Sequence, residues 1–570
     1  MPLLLALLTC LPAHATPPPL QHGVVFFIPP TADEAVSQLQ AIKADGFNLV
    51  KLASWVWTVP TEGSDLRKTV LAILDWCDKN GMAVWLLHNI QWGSPGEGGD
   101  VEEALDGVTA KARDTLVPWA QVLQGHPCVA GILLGNEVSP GGRELFKDHP
   151  RFLAAFRQWL QERHGDVAAL NARWGTKFAS LGDVQPPAEG EPGAVDVARF
   201  CRRQFASFYN AIAAQVLKPV LGNSVRYGSK GGASPYILSQ MPGYSVCSWD
   251  DLLANWPLWK TKLLVDTTGL PVFNSELHLY HDTYAFGPSP ELSRCRYFTS
   301  GMLGEWMTAS FAWGQWKKPE IAQVHAATPG ILADLRKVEP VLRALNTQPP
   351  AFEVLVTEAT EEGVEGHPPL ELAYASAAAT GLPWRFVCDL ALARQPGNPV
   401  GPAVPLLVDS AWLTEETAQS LADLCATRCV VFVGRVPTRD EYGHPLPEET
   451  VKRLRRDAQV IRDWSGLAGV VHVAELPPQY RELVDVPYLW WSPERGHYHF
   501  PVKYPHLEAR RAEVDGRRYV VIVNHTQEPV TAPVAFVAET DNLTDLLTGK
   551  AVDPSQVTLG PFGVLVLQAK

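Results

Sequence analysis

From residue 22 onward, short apolar runs alternate with stretches in which apolar residues recur at three- and four-residue spacing. The first kind of run reads as a buried strand and the second as an amphipathic helix, and their strict alternation predicts parallel β/α units. His22 to Pro29, Gly46 to Leu52, Met82 to His88 and Cys128 to Glu137 are the first four expected strands. Gly222 to Tyr227, Tyr244 to Trp249, Pro271 to Glu276 and Thr308 to Trp313 are the next four. Helices are expected over 32–45, where Ala35, Leu39 and Ile42 share a face, and around 66–79, with a closing helix near 329–345. Eight such units predict a (β/α)8 barrel.

Beyond Pro349-Pro350 the pattern restarts. Phe352 to Val356, Val404 to Asp409 and Cys429 to Gly434 read as strands between helices at about 369–380 and 414–426, which predicts a small doubly wound α/β domain. It holds no glycine-rich phosphate loop and no polar constellation that would suggest a second active site. Tyr519 to Asn524 and Val564 to Leu567, with turns at Asp515-Gly516 and Gly560-Pro561, predict a C-terminal antiparallel β-sandwich. The expected fold class is therefore α/β, with residues 1–15 as a signal peptide, 16–348 as the barrel, 349–490 as the α/β domain and 491–570 as the sandwich.

Two carboxylates end barrel strands: Glu137 closes Leu133-Leu134-Gly135-Asn136-Glu137, and Glu276 closes Pro271-Val272-Phe273-Asn274-Ser275-Glu276. Strands four and seven of such a barrel open onto one pocket, so the two side chains are candidates for an acid and a nucleophile that cleave a glycosidic bond. Taken singly, each also fits a strand-end or capping carboxylate; the pair is what favours chemistry. Asn274, Ser275, His278 and Tyr280 stand near Glu276 and offer hydrogen bonds that keep it ionised beside a protonated Glu137. A bound sugar is expected to rest on Trp313, which ends the run Thr308 to Ala312, in preference to Trp316 in the following loop. Polar contacts are expected from Asn136 and from His88, Asn89, Trp249 or Asp250.

Composition narrows the picture. A net charge of −13 without a segregated basic patch opposes nucleic acid and anionic membranes as partners. Residues 3–11 are apolar and Ala13-His14-Ala15 offers a cleavage pattern, so the chain is expected to be secreted or periplasmic, although no Lys or Arg opens the segment. Cys10 follows a poor lipoprotein box. No later segment is long and apolar enough to span a membrane. The nine cysteines form no CxxC pair and no Cys/His cluster with zinc spacing, so neither metal nor cofactor is expected; Cys425 and Cys429 read as buried thiols.

Gly46-Phe47-Asn48-Leu49-Val50-Lys51 through Trp57, Thr61, Glu62 and Gly63 resembles the strand-two motif of glycoside hydrolase family 42, a clan A barrel family. Phe156-Arg157-Gln158-Trp159-Leu160, Gly165, Leu170-Asn171 and Trp174-Gly175-Thr176-Lys177-Phe178 resembles that family's segment after the acid/base, and Val523-Asn524-His525-Thr526 with Leu546-Leu547-Thr548-Gly549 is similar to its terminal sandwich. The resemblance implies a retaining mechanism with Glu137 as acid/base after Asn136, Glu276 as nucleophile and Trp313 as the strand-eight aromatic. It further implies an α/β domain that joins subunits, in the family as a trimer. Lys51 stands where the family has Arg, the Glu-Pro of the strand-two loop is absent, His88-Asn89 follows strand three in place of small residues and Pro, and the family's zinc cysteines are missing. These departures bear on the sugar, since epimers are distinguished by rim contacts. β-Galactosidase is the first expectation, with β-mannosidase or β-glucosidase on the same scaffold, an endo-acting polysaccharidase, and a catalytically silent glycan-binding barrel as alternatives.

Overall fold

A computed structural model describes residues 20–569 except 233, 250–257, 280–286, 359–367, 391–403, 409–411, 428, 463–477, 493–495 and 535–541. The expected signal segment, Cys10, Asp250 and Tyr280 lie outside the described residues.

Eight parallel strands close a barrel: β1 (Gln21–Phe27), β2 (Leu49–Trp55), β3 (Ala83–Asn89), β4 (Val129–Val138), β5 (Arg226–Gly231), β6 (Cys247–Trp249), β7 (Val272–Leu277) and β8 (Met307–Ser310). Each pairs with its sequence neighbour, and β8 pairs with β1. Val25, Leu49, Trp85, Leu87, Leu133, Phe273, Met307 and Ala309 fill the interior as one cluster. Val24, Phe26, Val50, Leu52, Val84, Leu86, Ile132 and Leu134, on the alternate parity, face the helices in a second. Apolar side chains are thus demanded on both faces, which is why these strands read as continuous apolar runs.

The surrounding helices include α1 (Ala32–Ala44), α2 (Asp65–Asn80), α3 (Ala110–Leu123), α4 (Pro150–His164), α5 (Ala194–Ile212) and the closing α6 (Ala322–Leu345). Ser64 caps α2 by accepting the Arg67 N–H at 3.2 Å, and Gly81, at φ 64°, ends it in the left-handed conformation.

In the next domain β9 (Phe352–Val356), β10 (Trp384–Cys388), β11 (Val404–Val408), β12 (Val431–Val433) and β13 (Gln459–Ile461) form a parallel sheet in the order β10-β9-β11-β12-β13. This is a doubly wound order with its switch between β9 and β11. The hairpin of β14 (Leu483–Ser492) and β15 (Gly496–Pro505) follows, so the expected boundary at 490–491 falls inside a strand.

The C-terminal layers are an antiparallel sheet of β16 (Leu507–Val514), β17 (Arg517–Asn524), β19 (Leu543–Asp545), β20 (Ala551–Val552) and β22 (Val564–Ala569), with the pair β18 (Val530–Ala532) and β21 (Val557–Leu559) against it. Leu507, Val520, Ile522, Val530, Leu559 and Leu567 pack between the layers, while Val521, Val523 and Val566 pack toward the barrel. Among the described residues no helix is long and apolar enough to cross a membrane, and no His/Cys/Asp/Glu group has the arrangement of a metal site. Cys425 is buried as expected, whereas Cys429 is exposed.

Candidate active site

Glu276 reaches the barrel interior through a β-bulge. On β8, Thr308 pairs with Asn274 and Ser310 with Leu277, so three steps along β7 answer two along β8. Phe273 lies in the interior cluster and Leu277 in the outer one, although residues four apart on a regular strand share a face. The inserted residue switches the parity and re-aims Glu276 inward.

Glu137 is set by a different irregularity. Gly135 has φ 71° and Glu137 φ 54°, and the pairing of β4 with β5 breaks between Leu134 and Val138. A Cβ at Gly135 would stand 2.4 Å from Val138 and 2.7 Å from the Tyr209 hydroxyl, so only glycine fits. A left-handed glutamate is costly and concentrates at functional positions. Its side chain is 63% exposed, opening to solvent, whereas that of Glu276 is only 11% exposed.

Two buried lysines meet at Glu276. Lys51 Nζ donates to Oε1 at 3.0 Å from β2, and Lys230 Nζ lies 2.7 Å from the same oxygen from β5. Lys230 is also 3.7 Å from Glu137 and donates to the Asn136 side-chain oxygen. Because both glutamate oxygens flank one nitrogen, they are no more than about 6.4 Å apart. His278 Nε2 stands 3.6 Å from the other Glu276 oxygen, and its ring stacks on Phe311 with centres 4.8 Å apart. Burial alone would push the Glu276 carboxyl up, but the Lys51 and Lys230 ammoniums hold it well below the usual carboxylate range.

The other sequence candidates separate. Asn89 accepts from Gln91, whose amide also donates to the Asn136 carbonyl at 2.6 Å, so Asn89 belongs to the wall beside Glu137. His88 does not join it. It falls on the outward parity of β3 with Leu86, has no solvent exposure, and among the described residues neither ring nitrogen has a partner. Burial pulls it down to about 3 and keeps it neutral. Trp249 ends β6, but its side chain lies outside the description, as does Asp250. Trp313 is corrected: β8 stops at Ser310, and Trp313 opens a short helical turn in which its ring stacks on Trp316, 6.3 Å away, and meets His325 of α6 edge-on. It belongs to the outer core, and Phe311 takes the position beside His278.

Lys230, Gln91 and Phe311 were missed from sequence. Strand five was expected at Gly222 to Tyr227 and lies at Arg226–Gly231, which left Lys230 in an expected loop. The available signal was Gly228-Ser229-Lys230-Gly231, where a lone cation follows a small-residue strand segment.

A cavity of about 630 Å³ lies elsewhere, between α4, α5 and the carboxyl ends of β9 and β10. The expectation that the α/β domain lacks a polar constellation is corrected there. Arg199 and Arg202 of α5 both pair with Glu358, and Tyr236 donates to Asp389 at 2.6 Å. This network joins the barrel to the second domain.

A family model described as β-galactosidase matches residues 108–225, and one described as β-galactosidase C-terminal domain matches 506–569. A β-galactosidase from Arthrobacter is 28% identical over 178 residues, covering 21% of this chain and 26% of the relative, so the match spans about a quarter of that protein. Among solved structures, the apo exo-carrageenase GH42 from Bacteroides ovatus superimposes with a TM-score of 0.69 at 15% identity, over 97% of this chain and 82% of that one. The β-galactosidase from Bacillus circulans sp. alkalophilus gives 0.66 at 12% identity, over 97% and 99%. The two solved structures share the fold along 97% of the chain, and the two matched segments make residues 108–225 and 506–569 similar to the β-galactosidase models of glycoside hydrolase family 42.

Proposed function

We propose that the chain is a retaining β-glycosidase that removes terminal β-linked sugars by double displacement, with a galactosyl unit as the first choice. The observation that carries this reading is the single ammonium of Lys230 between Glu276 and Glu137. It holds one oxygen of each carboxylate within about 6.4 Å of the other, below the roughly 6.5–9.5 Å that admits a water between the groups in inverting enzymes. Glu276, buried and ionised, attacks the anomeric carbon. Glu137, exposed at the rim, protonates the departing oxygen and then deprotonates the water that resolves the glycosyl ester. Asn136 is oriented by Lys230 to meet the sugar 2-hydroxyl.

A screen of nitrophenyl β-galactoside, β-glucoside and β-mannoside tests the reading, with the anomer of the first product followed by NMR. Turnover with a β product is expected. An α product would establish inversion, and no turnover of any glycoside would leave a glycan-binding barrel.

Export and assembly belong to the same proposal. The apolar residues 3–11 before Ala13-His14-Ala15 support a secreted or periplasmic protein; a mature N-terminus near Thr16 is the expected mass-spectrometric result. The α/β domain supports a cyclic trimer by likeness to the family, and light scattering that gives a monomer at micromolar concentration would remove that part.

A further inference from the structure

The exposed large apolar side chains among the described residues are Phe27, Trp55, Trp57, Leu372 and Val460. The first three gather at the carboxyl ends of β1 and β2, on the barrel rim that opens over Glu276. Trp55 and Trp57 stack with ring centres 5.4 Å apart and planes within 2°, yet remain 40% and 67% exposed. A face of the pair is therefore turned to solvent, where leaving it bare of any occupant is unfavourable.

Parity places this pair over the pocket. Leu49 and Ala53 belong to the barrel interior, Lys51 between them reaches Glu276, and Trp55 continues the same face of β2. At about 3.3 Å per residue, Trp55 stands roughly 13 Å beyond Lys51 toward the mouth. That is more than one sugar ring beyond the lysine that holds the nucleophile.

The pair also lies on the acid's side. Trp55 is in register with Asn89 on β3, and Gln91 links Asn89 to the carbonyl of Asn136, the residue before Glu137. An acid that protonates the departing oxygen has the departing sugar beside it. The Trp loop is held in place: Thr58 N–H donates to the Trp55 carbonyl at 2.8 Å, and the buried Trp119 indole donates to the Thr58 carbonyl at 2.8 Å.

We propose that Trp55 and Trp57 form a stacking platform for a sugar unit on the leaving-group side, so that the substrate is an oligosaccharide or a polysaccharide end rather than a simple monoglycoside. Indole faces fit the C–H face of a pyranose, and the pair needs no charged partner to do so. The inference rests on the glycosidase reading and deepens it by naming the size of the substrate.

The test compares wild type, Trp57→Ala and Trp55→Ala on two probes built from the sugar that the nitrophenyl screen selects: its β-glycosyl fluoride, which carries nothing for the platform to hold, and its β-1,4-linked trisaccharide. Each variant is expected to raise KM for the trisaccharide about tenfold relative to the fluoride. Leu372→Ala, an exposed apolar residue in the α/β domain, serves as the control and is expected to leave that ratio at the wild-type value. An unchanged ratio in both tryptophan variants overturns the platform. So does a loss of assembly in Trp57→Ala by light scattering, which would make the indole a subunit contact. Wild-type turnover of the fluoride separates failure of the platform from failure of the glycosidase reading, which would show as no turnover of either probe.

Discussion

The ammonium of Lys230 stands 2.7 Å from the Glu276 carboxylate, with only 1% of the lysine side chain exposed. At that separation in a site largely closed to water, each charge offsets part of the other's lost hydration. Lys51 adds a second cation on the same oxygen. The pair of lysines explains how a buried glutamate remains an anion, as the proposed nucleophile must, while Glu137 stands at the exposed rim.

Replacing Lys230 with Met removes one of those cations. Glu276 is then harder to ionise, so its carboxyl titrates at higher pH and the acidic limb of kcat/KM moves upward. Activity at neutral pH is expected to fall at least about a hundredfold. An acidic limb that stays in place while activity falls would show that Lys230 acts on something other than Glu276.

Glu276→Ala should abolish turnover, and added azide should restore product of inverted configuration because the covalent step has no other nucleophile. Glu137→Ala should slow alkyl and oligosaccharide substrates far more than activated aryl glycosides, whose leaving groups depart without a proton. Equal losses on both substrate classes would remove Glu137 from the acid role.

Phe311 and Trp313 are separated by one residue and by their surroundings. Phe311→Ala removes the ring on which His278 stacks beside Glu276 and is expected to lower kcat with little change in stability. Trp313→Ala opens a cavity among Trp316 and His325 and is expected to cost about 3–5 kcal/mol of stability. Chemical denaturation together with steady-state kinetics distinguishes them, and a reversed pattern would restore Trp313 to the pocket.

Glu358 ties the barrel to the second domain. Burial would raise its carboxyl, but Arg199 and Arg202 bring it down to about 2. A depressed carboxyl contributes stability above its unfolded value near 4.5 and loses it as pH falls toward 2. Glu358→Gln is therefore expected to destabilise at pH 7 by about 3–5 kcal/mol, with the gap to wild type closing below pH 4.5. A gap that is constant down to pH 3 would show that charge is not what the pair contributes.

The local pattern of the chain determined a great deal. Apolar runs that face interior and helices alike located all eight barrel strands within a few residues, and changes of period marked the α/β and antiparallel regions, although the 490–491 boundary between them falls inside β14. Glu137 and Glu276 were legible because each ends such a run, and a strand end of a barrel opens on the shared mouth. Only the tertiary structure decided which side chains enter that mouth. His88 and Asn89 are adjacent, yet a two-residue period sends one to the helices and the other toward Gln91. Glu276 faces inward because a bulge against β8 shifts the parity, and a bulge is a property of two strands read together. Lys51 was visible as a substitution, but its 3.0 Å contact with Glu276, like that of Lys230, joins strands far apart in the chain. Periodicity records which way each residue faces within its own strand; the meeting of charges across a closed barrel depends on curvature and register, which no single segment carries.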